Sequence, residues 1–331
     1  MENIDGRGTA EEKRLSLLFV HHIKNRGFIK TDYDILCKQY DVTDFHYRGG
    51  KDILGLLLEC RRHDIVYSWF MSLHSFFTTF NKAKKVYVAG GYDASAVPGY
   101  GLGCKWYTRL LVKRCLSCAD IVLSVSKFND EELKKNFGFT DAVMIYNSVD
   151  TEYFKPDGVK DVSLFLTVAC MDSLSFVRKG VADFVALART AMGLKLPYVF
   201  VVVGSYSDDL KIHINSLQDR IPNLCFTGFI SDEQLLKYYQ EAKVYCQLSS
   251  YESFGLSLAE AMSCGCIPLI SGNAALPEVT GGLGSSVCIA VEDVLKEVSS
   301  SDEGGLCRDR VVCMFSKKRR EEKLLNVMKG L

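Results

Sequence analysis

The sequence lacks a long hydrophobic run and an excess of either charge, and it contains little proline or tryptophan. Six prolines and two tryptophans occur in 331 residues. No run of about 18 apolar residues is present, so no transmembrane helix is expected. Lysine plus arginine and aspartate plus glutamate number 40 each, which gives no basis for bulk binding of nucleic acid. The first residues are polar, so we expect no signal peptide and a cytoplasmic protein.

Cysteine, by contrast, is abundant. The 13 cysteines are an odd number, and most of them lie within apolar stretches. Their use as small core residues indicates a protein with reduced thiols. Cys115 and Cys118 form a single Cys-x-x-Cys pair, and no second pair exists to complete a zinc site. We therefore predict no metal site.

Short apolar runs rich in β-formers alternate with helical patterns along the chain. Such runs are typical of strands buried on both faces of a parallel sheet. Their alternation with helices predicts a doubly wound α/β fold with two sheets of six strands. The predicted strands are 15–20, 42–45, 65–70, 85–89, 120–126, 142–146, 163–169, 198–204, 224–228, 243–249, 267–271 and 286–289.

A stretch without an apolar pattern, 147–158, separates the two halves and contains a proline and a glycine. We therefore predict two Rossmann-like domains, over 1–150 and 151–315, followed by a charged amphipathic helix over 316–331. Ligands of open α/β sheets bind at the carboxyl ends of the strands. The site is thus expected in the cleft between the two domains.

The stretch YESFGLSLAEAMSCGC (251–266) places one glutamate before a predicted helix and another inside it. Ser253 is the predicted N-cap and Gly265 the predicted stop. Glu252 precedes the cap, Glu260 follows it, and the free amides between them suit a phosphate. A nucleotide sugar has this order of parts. The alternative is a surface loop for Glu252 and a solvated edge for Glu260, which the apolar neighbours of Glu260 disfavour.

Two adjacent cations, Arg178 and Lys179, lie in SFVRKG (175–180) between a predicted strand and a predicted helix. Cations at the start of a helix oppose the helix dipole, and a bound diphosphate would offset them. The alternative is that both side chains are solvated loop charges.

Other candidates follow predicted strands. Gly204 and Gly228 end strands at points where a ligand could approach the backbone, although ordinary turns also use glycine. Five side chains of the first domain face the predicted cleft and could contact an acceptor, with a satisfied or solvated side chain as the alternative for each. These are His21, His22, Lys24, His74 and Asp93.

Two short motifs are interpreted as structural. Asp32 and Asp34 form an Asp-x-Asp pair of a kind that can hold a metal ion, but TDYDIL predicts a capping box from Thr31 to Asp34. The cluster GYGLG (99–103) has the wrong spacing and context for a dinucleotide fingerprint, and a flexible loop is predicted there.

Residues 82–114 combine seven lysines and arginines, one acid and five interleaved tyrosine and tryptophan side chains. Basic and aromatic residues together suit a surface that contacts lipid headgroups. Within this stretch, 105–114 could form an interfacial helix. A helix packed on its own domain is the alternative.

These stretches together resemble retaining glycosyltransferases of family 4, which have the GT-B fold. YESFGLSLAEAMSCGCIPLIS followed by ALPEV resembles the E-x7-E signature of that family. VRKG resembles the basic donor-phosphate motif of the family. CFTGFISDEQLLKYYQEAKVYCQLS resembles its base-binding strand, turn and helix. YNSVDTEYFKP resembles its interdomain linker. The resemblance covers nearly the whole chain and is strongest over 120–280.

The resemblance implies a role for each matching residue. Glu252 would contact hydroxyls of the donor sugar, and Glu260 would hold the ribose hydroxyls. Arg178 and Lys179 would stabilise the leaving diphosphate without a metal or other cofactor. Asp93 alone represents the His-Asp pair that many members carry, and HHIKNRG replaces the usual Gly-Gly loop. The other implied donor contacts are Gly204, Gly228, Phe229, Ser253, Phe254, Gly255 and Leu256.

The sequence thus predicts a retaining, metal-independent hexosyltransferase that uses a nucleotide-diphosphate sugar. A glycan, glycolipid or other hydroxyl compound would be the acceptor, at or near the cytoplasmic face of a membrane. A GT-B phosphorylase or a sugar-nucleotide epimerase is an alternative on the same fold. A degenerate nucleotide-sugar-binding protein is a further alternative, which the intact charged residues of the motifs disfavour.

Overall fold

The fold is described from a computed structural model. It covers residues 14–23, 27–286 and 291–331, so the predicted acceptor residue Lys24 and the end of the last predicted strand, 287–289, lie outside the described segments. Within these segments, no helix is both long and apolar enough to cross a membrane.

The strands and helices alternate as the sequence predicts. The strands are β1 (Ser16–His21), β2 (Asp41–His46), β3 (Ile65–Trp69), β4 (Lys84–Ala89), β5 (Ile121–Ser124), β6 (Val143–Met144), β7 (Asp161–Val168), β8 (Val199–Val203), β9 (Leu224–Gly228), β10 (Ala242–Gln247), β11 (Ile267–Ile270) and β12 (Ser285–Ser286). The helices are α1 (Gly27–Leu36), α2 (Ile53–Cys60), α3 (Leu73–Thr78), α4 (Trp106–Cys118), α5 (Lys127–Phe137), α6 (Ser173–Arg178), α7 (Val181–Gly193), α8 (Lys211–Arg220), α9 (Asp232–Glu241), α10 (Leu256–Ser263), α11 (Leu276–Thr280), α12 (Val291–Ser300), α13 (Gly304–Phe315) and α14 (Lys317–Met328).

The strands form two six-stranded sheets in which every pairing is parallel. The first sheet has the order β2-β1-β3-β4-β5-β6 and the second β12-β11-β10-β7-β8-β9. The predicted doubly wound architecture is therefore confirmed. The strand order reverses between β1 and β3 and again between β7 and β10, and such switch points are where open α/β sheets bind ligands.

The central strands are buried because helices cover both faces of each sheet. All five residues of β3 are buried, as are four of the five in β8. The buried residues of β8 and one face of β3 (Ile65, Tyr67 and Trp69) belong to one apolar cluster that extends through both halves of the molecule, whereas Val66 of β3 belongs to a smaller cluster. The carboxyl ends of the two sheets are consequently held in a defined mutual arrangement.

Helix α14 lies against α1 of the first half, and a buried ion pair joins them. Arg320 donates through Nη2 to Asp32 Oδ2 at 2.7 Å, and both side chains are almost fully buried. Tyr67 Oη donates to the same carboxylate at 2.6 Å. The predicted capping box is wrong, because Thr31 lies inside α1 and its hydroxyl donates to the carbonyl oxygen of Gly27.

Candidate functional site

Two adjoining cavities open between the carboxyl ends of the two sheets. The first has a volume of about 450 Å³ and the second about 460 Å³. Leu256 and Ser257, the first two residues of α10, line both cavities. A ligand that extends through both would therefore cross the N-terminus of α10.

The N-terminus of α10 carries no side-chain cap. The N-cap residue is Gly255, with φ 92° and ψ 59°, and no side chain accepts from the first-turn amides. The prediction of Ser253 as N-cap is wrong, because its hydroxyl instead donates to the carbonyl oxygen of Gly90 at 2.9 Å. The ring of Phe254 is buried, with its centroid 5.2 Å from that of Phe315. The uncapped amides leave an anion-binding helix end at the cavity wall.

Glu252 and Lys179 form an ion pair in the first cavity. Lys179 Nζ lies 2.8 Å from Glu252 Oε2, and the two side chains are 26% and 18% exposed. Both residues line the cavity together with Gly255. A cation, a carboxylate and free amides thus face one space, which suits a ligand with both an anionic group and hydroxyls.

The two cations of SFVRKG lie between two helices. Arg178 is the last residue of α6 and Lys179 is its C-cap, and both directly precede α7, whose N-cap is Gly180. They therefore lie before the start of α7, as predicted, and also at the C-terminal end of α6, whose dipole favours both charges. The next residue, Gly180, has φ 71°, and a Cβ atom there would lie 2.1 Å from the carbonyl oxygen of Leu248. Glycine therefore lets this turn pack directly against the chain after β10.

Glu260 is the fifth residue of α10 and lines the second cavity. Burial raises the pKa of its carboxyl group to about 8, while the hydrogen bond from Tyr239 opposes that rise. Tyr239 Oη donates to Glu260 Oε2 at 3.2 Å. The carboxyl group is thus held at the wall of the second cavity, on the other side of the helix tip from Glu252.

Other predicted donor contacts surround the second cavity. Gly204 lines it with φ 135°, and a Cβ atom there would lie 2.0 Å from the carbonyl oxygen of Ala169. Phe229 also lines it and is 84% exposed, so its ring is available for stacking. Gly228, with φ 71°, ends β9 beside Phe229 but does not itself line either cavity.

Asp93 organises a loop and does not reach either cavity. Its side chain is fully buried and accepts three backbone N–H groups, from Gly90 and Gly91 at 3.0 Å each and from Met71 at 2.8 Å. Burial raises the pKa of the carboxyl group, and the backbone N–H groups oppose that rise. The structure therefore does not bring Asp93 together with the other predicted catalytic residues, because it lines neither cavity.

The predicted acceptor histidines form a cluster, of which His22 alone lines the first cavity. Burial lowers the pKa of His22, and so do the charges of His21 and His46. His21 bonds through its ring nitrogens to the carbonyl oxygen of Ile23 and to Asp44. His74 is buried, and burial lowers its pKa to about 3, so it is neutral. Within the described segments, no group of three or more His, Cys, Asp and Glu side chains is arranged to hold a metal ion.

Hydrogen bonds join the two halves at the edge of the first cavity. Ser126 Oγ donates to the carbonyl oxygen of Ser253 at 2.6 Å, and Tyr251 Oη donates to that of Gly91 at 3.3 Å. The carboxylate of Glu278 accepts backbone N–H groups at the start of α5. The loop that carries Glu252 is therefore supported from both sheets.

Several residues that line the first cavity were not predicted from the sequence, and Phe70, Asn147 and Tyr100 are three of them. Phe70 follows β3 with φ 68°, a rare conformation for a residue other than glycine, and its position after a strand could have indicated it. Asn147 is buried in the cavity wall, and its Oδ1 has no hydrogen-bond partner in the described part of the chain. Tyr100 lies on a loop far from any strand end, and no local pattern indicates it.

Comparison with known proteins extends this description. Residues 167–294 match the family model of glycosyl transferases group 1. The chain is 23% identical over 192 residues to O-antigen chain mannosyltransferase B of Escherichia coli, which covers 54% of this chain and 50% of that protein. It is 33% identical over 101 residues to the GDP-mannose:cellobiosyl-diphosphopolyprenol alpha-mannosyltransferase of Xanthomonas oryzae, over 29% of this chain and 26% of that protein. The chain thus spans half or less of the length of these curated relatives.

The fold of the whole chain is shared with solved structures. HepE from Anabaena in complex with UDP-glucose superposes with a TM-score of 0.75 at 12% identity, over 96% of this chain and 100% of that one. At this identity the match shows the fold, which is GT-B. Residues 167–294 are thus similar to glycosyl transferases group 1, and the chain as a whole has the GT-B fold.

Proposed function

We propose that the protein is a retaining glycosyltransferase that transfers a sugar from a nucleotide-diphosphate sugar to a hydroxyl group of a glycan or lipid-linked acceptor. The observation that carries this proposal is the Glu252–Lys179 pair beside the uncapped start of α10. It lies at the switch points of both sheets and within the segment that matches the family model. The E-x7-E spacing of Glu252 and Glu260 supports placement in family 4.

The two cavities accommodate the parts of such a donor in order. The diphosphate would accept hydrogen bonds from the amides at Gly255 and Leu256, and it would form an ion pair with the ammonium group of Lys179. The sugar would lie beside Glu252, where the unpartnered Oδ1 of Asn147 could accept from a hydroxyl group. In the second cavity, Glu260 would hold the ribose. The base would lie near the exposed ring of Phe229.

The proposed chemistry is a substitution at the anomeric carbon with retained configuration. The acceptor oxygen bonds to the anomeric carbon on the face from which the diphosphate departs, and the acceptor proton passes to a leaving phosphate oxygen. Lys179, Arg178 and the helix amides stabilise the charge that develops on the diphosphate. These groups act on the leaving group as a metal ion would, so we propose that transfer needs no metal.

The two halves of the chain would bind different substrates. In this proposal the segment 1–150 binds the acceptor, 151–315 binds the donor, and the terminal helix within 316–331 joins the second half to the first. His22 and Phe70 line the first cavity and would contact the acceptor there.

A lipid-linked acceptor would require access to a membrane, and α4 offers a suitable surface. Trp106 is 74% exposed and Leu110 57% exposed, one helical turn apart. The exposed cations Lys105 and Lys113 flank them. We propose that this face contacts the cytoplasmic leaflet. We expect the protein to float with anionic vesicles and the Trp106→Ala variant to lose this flotation. If the wild-type protein does not float at low salt, membrane contact is contradicted.

The proposed activity is tested with purified protein, candidate donors and EDTA. GDP-mannose, UDP-glucose and UDP-N-acetylglucosamine are each supplied with and without polyprenyl-diphosphate-linked sugars. We expect one donor to raise the melting temperature and to be consumed only with an acceptor, with retained anomeric configuration in the product. Consumption of no donor would overturn the proposal, and an inverted product would overturn retention.

A further inference from the structure

The glycine cluster GYGLG (99–103) forms a compact loop at the mouth of the first cavity. Gly101 has φ 105°, and a Cβ atom there would lie 2.3 Å from the carbonyl oxygen of Ser95. A Cβ atom at Gly103 would lie 2.8 Å from the same oxygen, which accepts the Gly103 N–H at 2.8 Å. The glycines thus let the loop pack closely against Ser95. Tyr100 lies between Gly99 and Gly101 in this loop.

The loop places the ring of Tyr100 against a cation of the other half. Arg178 Cζ lies 4.3 Å from the centroid of the Tyr100 ring, close enough for a cation–π contact. The Tyr251 ring supports Tyr100 at a centroid distance of 5.3 Å. Tyr100 also lines the first cavity, together with Lys179. The Arg178 guanidinium therefore contacts a ring, that of Tyr100, which lines the proposed donor site.

The contact leaves the hydrogen-bonding groups of Arg178 available. A guanidinium that stacks on an aromatic ring presents its face to the ring, while its five N–H donors point outward in its plane. In the described part of the chain no carboxylate forms an ion pair with Arg178, whereas Lys179 is paired with Glu252. Tyr100 therefore restrains the cation without neutralising it.

We propose that Tyr100 is a positioning residue that holds the Arg178 guanidinium at the mouth of the first cavity, ready to bind the diphosphate of the donor. This inference rests on the proposed function, and it assigns the GYGLG loop of the first half a part in binding the donor. Arg178 would contact the diphosphate and not the nucleoside. Loss of the Tyr100 ring should therefore weaken the binding of nucleoside diphosphates more than that of nucleoside monophosphates.

The test measures affinities for GDP and UDP, and for GMP and UMP, by titration calorimetry. We expect Tyr100→Leu to weaken binding of the preferred diphosphate by roughly 3- to 30-fold, and to change that of the monophosphate by less than about 2-fold. Tyr100→Phe, which keeps the ring, should bind like the wild type. Phe80→Leu is the matched control, since Phe80 is an exposed ring near Arg114 and outside both cavities.

A second comparison asks whether Tyr100 acts through Arg178. In an Arg178→Met background, Tyr100→Leu should have no further effect on diphosphate affinity. A full effect in that background would overturn the inference, as would equal losses in Tyr100→Phe and Tyr100→Leu or equal losses for mono- and diphosphates. If the wild type binds GDP or UDP and Tyr100→Leu binds it equally well, the positioning role fails while the proposed function stands. Absence of any nucleotide binding by the wild type would overturn both.

Discussion

At the scale of single residues, the site depends on charges that are placed in the cleft before any ligand binds. Glu252 and Lys179 pair across the first cavity, and each is mostly shielded from solvent. A pair of this kind holds both side chains in position and can exchange partners when an anion and hydroxyls arrive. The residue-scale predictions concern this pair and Glu260.

Removing either charge of the pair should reduce turnover strongly. We expect Lys179→Met and Glu252→Gln each to lower kcat/KM by at least ~100-fold, because transition-state contacts to the diphosphate and the sugar are lost. Initial rates of sugar transfer measure this. Glu292→Gln, which removes half of the exposed Lys296–Glu292 pair, is the control and should leave the rate unchanged. Wild-type rates in both site variants would contradict the assignment.

Glu260 predicts a pH dependence of stability. Burial raises the pKa of its carboxyl group from 4.5 to about 8, so folding disfavours the ionised form. The stabilisation from this group is complete below about pH 4.5 and is lost as the pH rises through 8. Glu260→Gln should therefore raise the melting temperature relative to wild type more at pH 8 than at pH 5. The exposed residue Glu241 provides the control, Glu241→Gln, and an equal difference at both pH values would refute the claim.

At the scale of elements, the start of α10 decides where the ligand lies. Its uncapped first turn follows a glycine in the left-handed conformation, and the side chain of Ser253 is directed to the other half instead of capping the helix. A helix whose cap is absent exposes amides that a bound anion can satisfy. The element-scale prediction concerns this glycine.

Gly255→Ala should destabilise the protein and weaken donor binding. With φ 92° at this position, and Leu276 Cδ2 only 3.1 Å from the added Cβ, we expect a loss of about 1–2 kcal/mol in the free energy of unfolding. Urea titration measures the loss, and calorimetry with the nucleotide measures binding. Gly305→Ala in α13 is the control, because nothing lies within 4 Å of its added Cβ. A variant as stable as Gly305→Ala would show that the strain is absent.

The elements themselves were predictable from the sequence, whereas the contacts at their ends were not. Apolar runs such as VFVVV specify a buried strand locally, and all twelve predicted strands overlap observed ones. The partner of Ser253 is Gly90, which is far away in the sequence, so a local rule assigned it to a cap. Arg178 and Lys179 precede α7 as predicted, whereas the six-residue helix α6 that ends at Arg178 was not predicted.

At the scale of the whole molecule, the cleft depends on how the two halves are joined. The sequence predicted two sheets and a terminal helix, but it could not show that Arg320 of α14 pairs with Asp32 of α1, since the two residues are distant in the chain. The same pairing gives Asp32 of the Asp-x-Asp motif a structural partner. Tyr100 was missed for a similar reason, because its partner Arg178 belongs to the other half.

Breaking the buried pair should destabilise the whole fold. We expect Arg320→Met to lower the free energy of unfolding by about 3–5 kcal/mol, because it leaves the Asp32 carboxylate buried without its cation. Lys38→Met removes an exposed pair between the turn after α1 and Glu321 of α14, and it should cost less than about 1 kcal/mol. Denaturant unfolding compares the two. Equal losses would show that the buried pair has no special part in joining the halves.

The most direct test of the account is a crystal structure of the protein with the nucleoside diphosphate that binds most tightly. We expect phosphate oxygens within hydrogen-bond distance of the Gly255 and Leu256 amides and of Lys179 Nζ, with the ribose at Glu260. The Lys179–Glu252 contact of 2.8 Å should lengthen as the lysine turns to the phosphate. A diphosphate bound elsewhere, with that ion pair unchanged, would contradict the central claim.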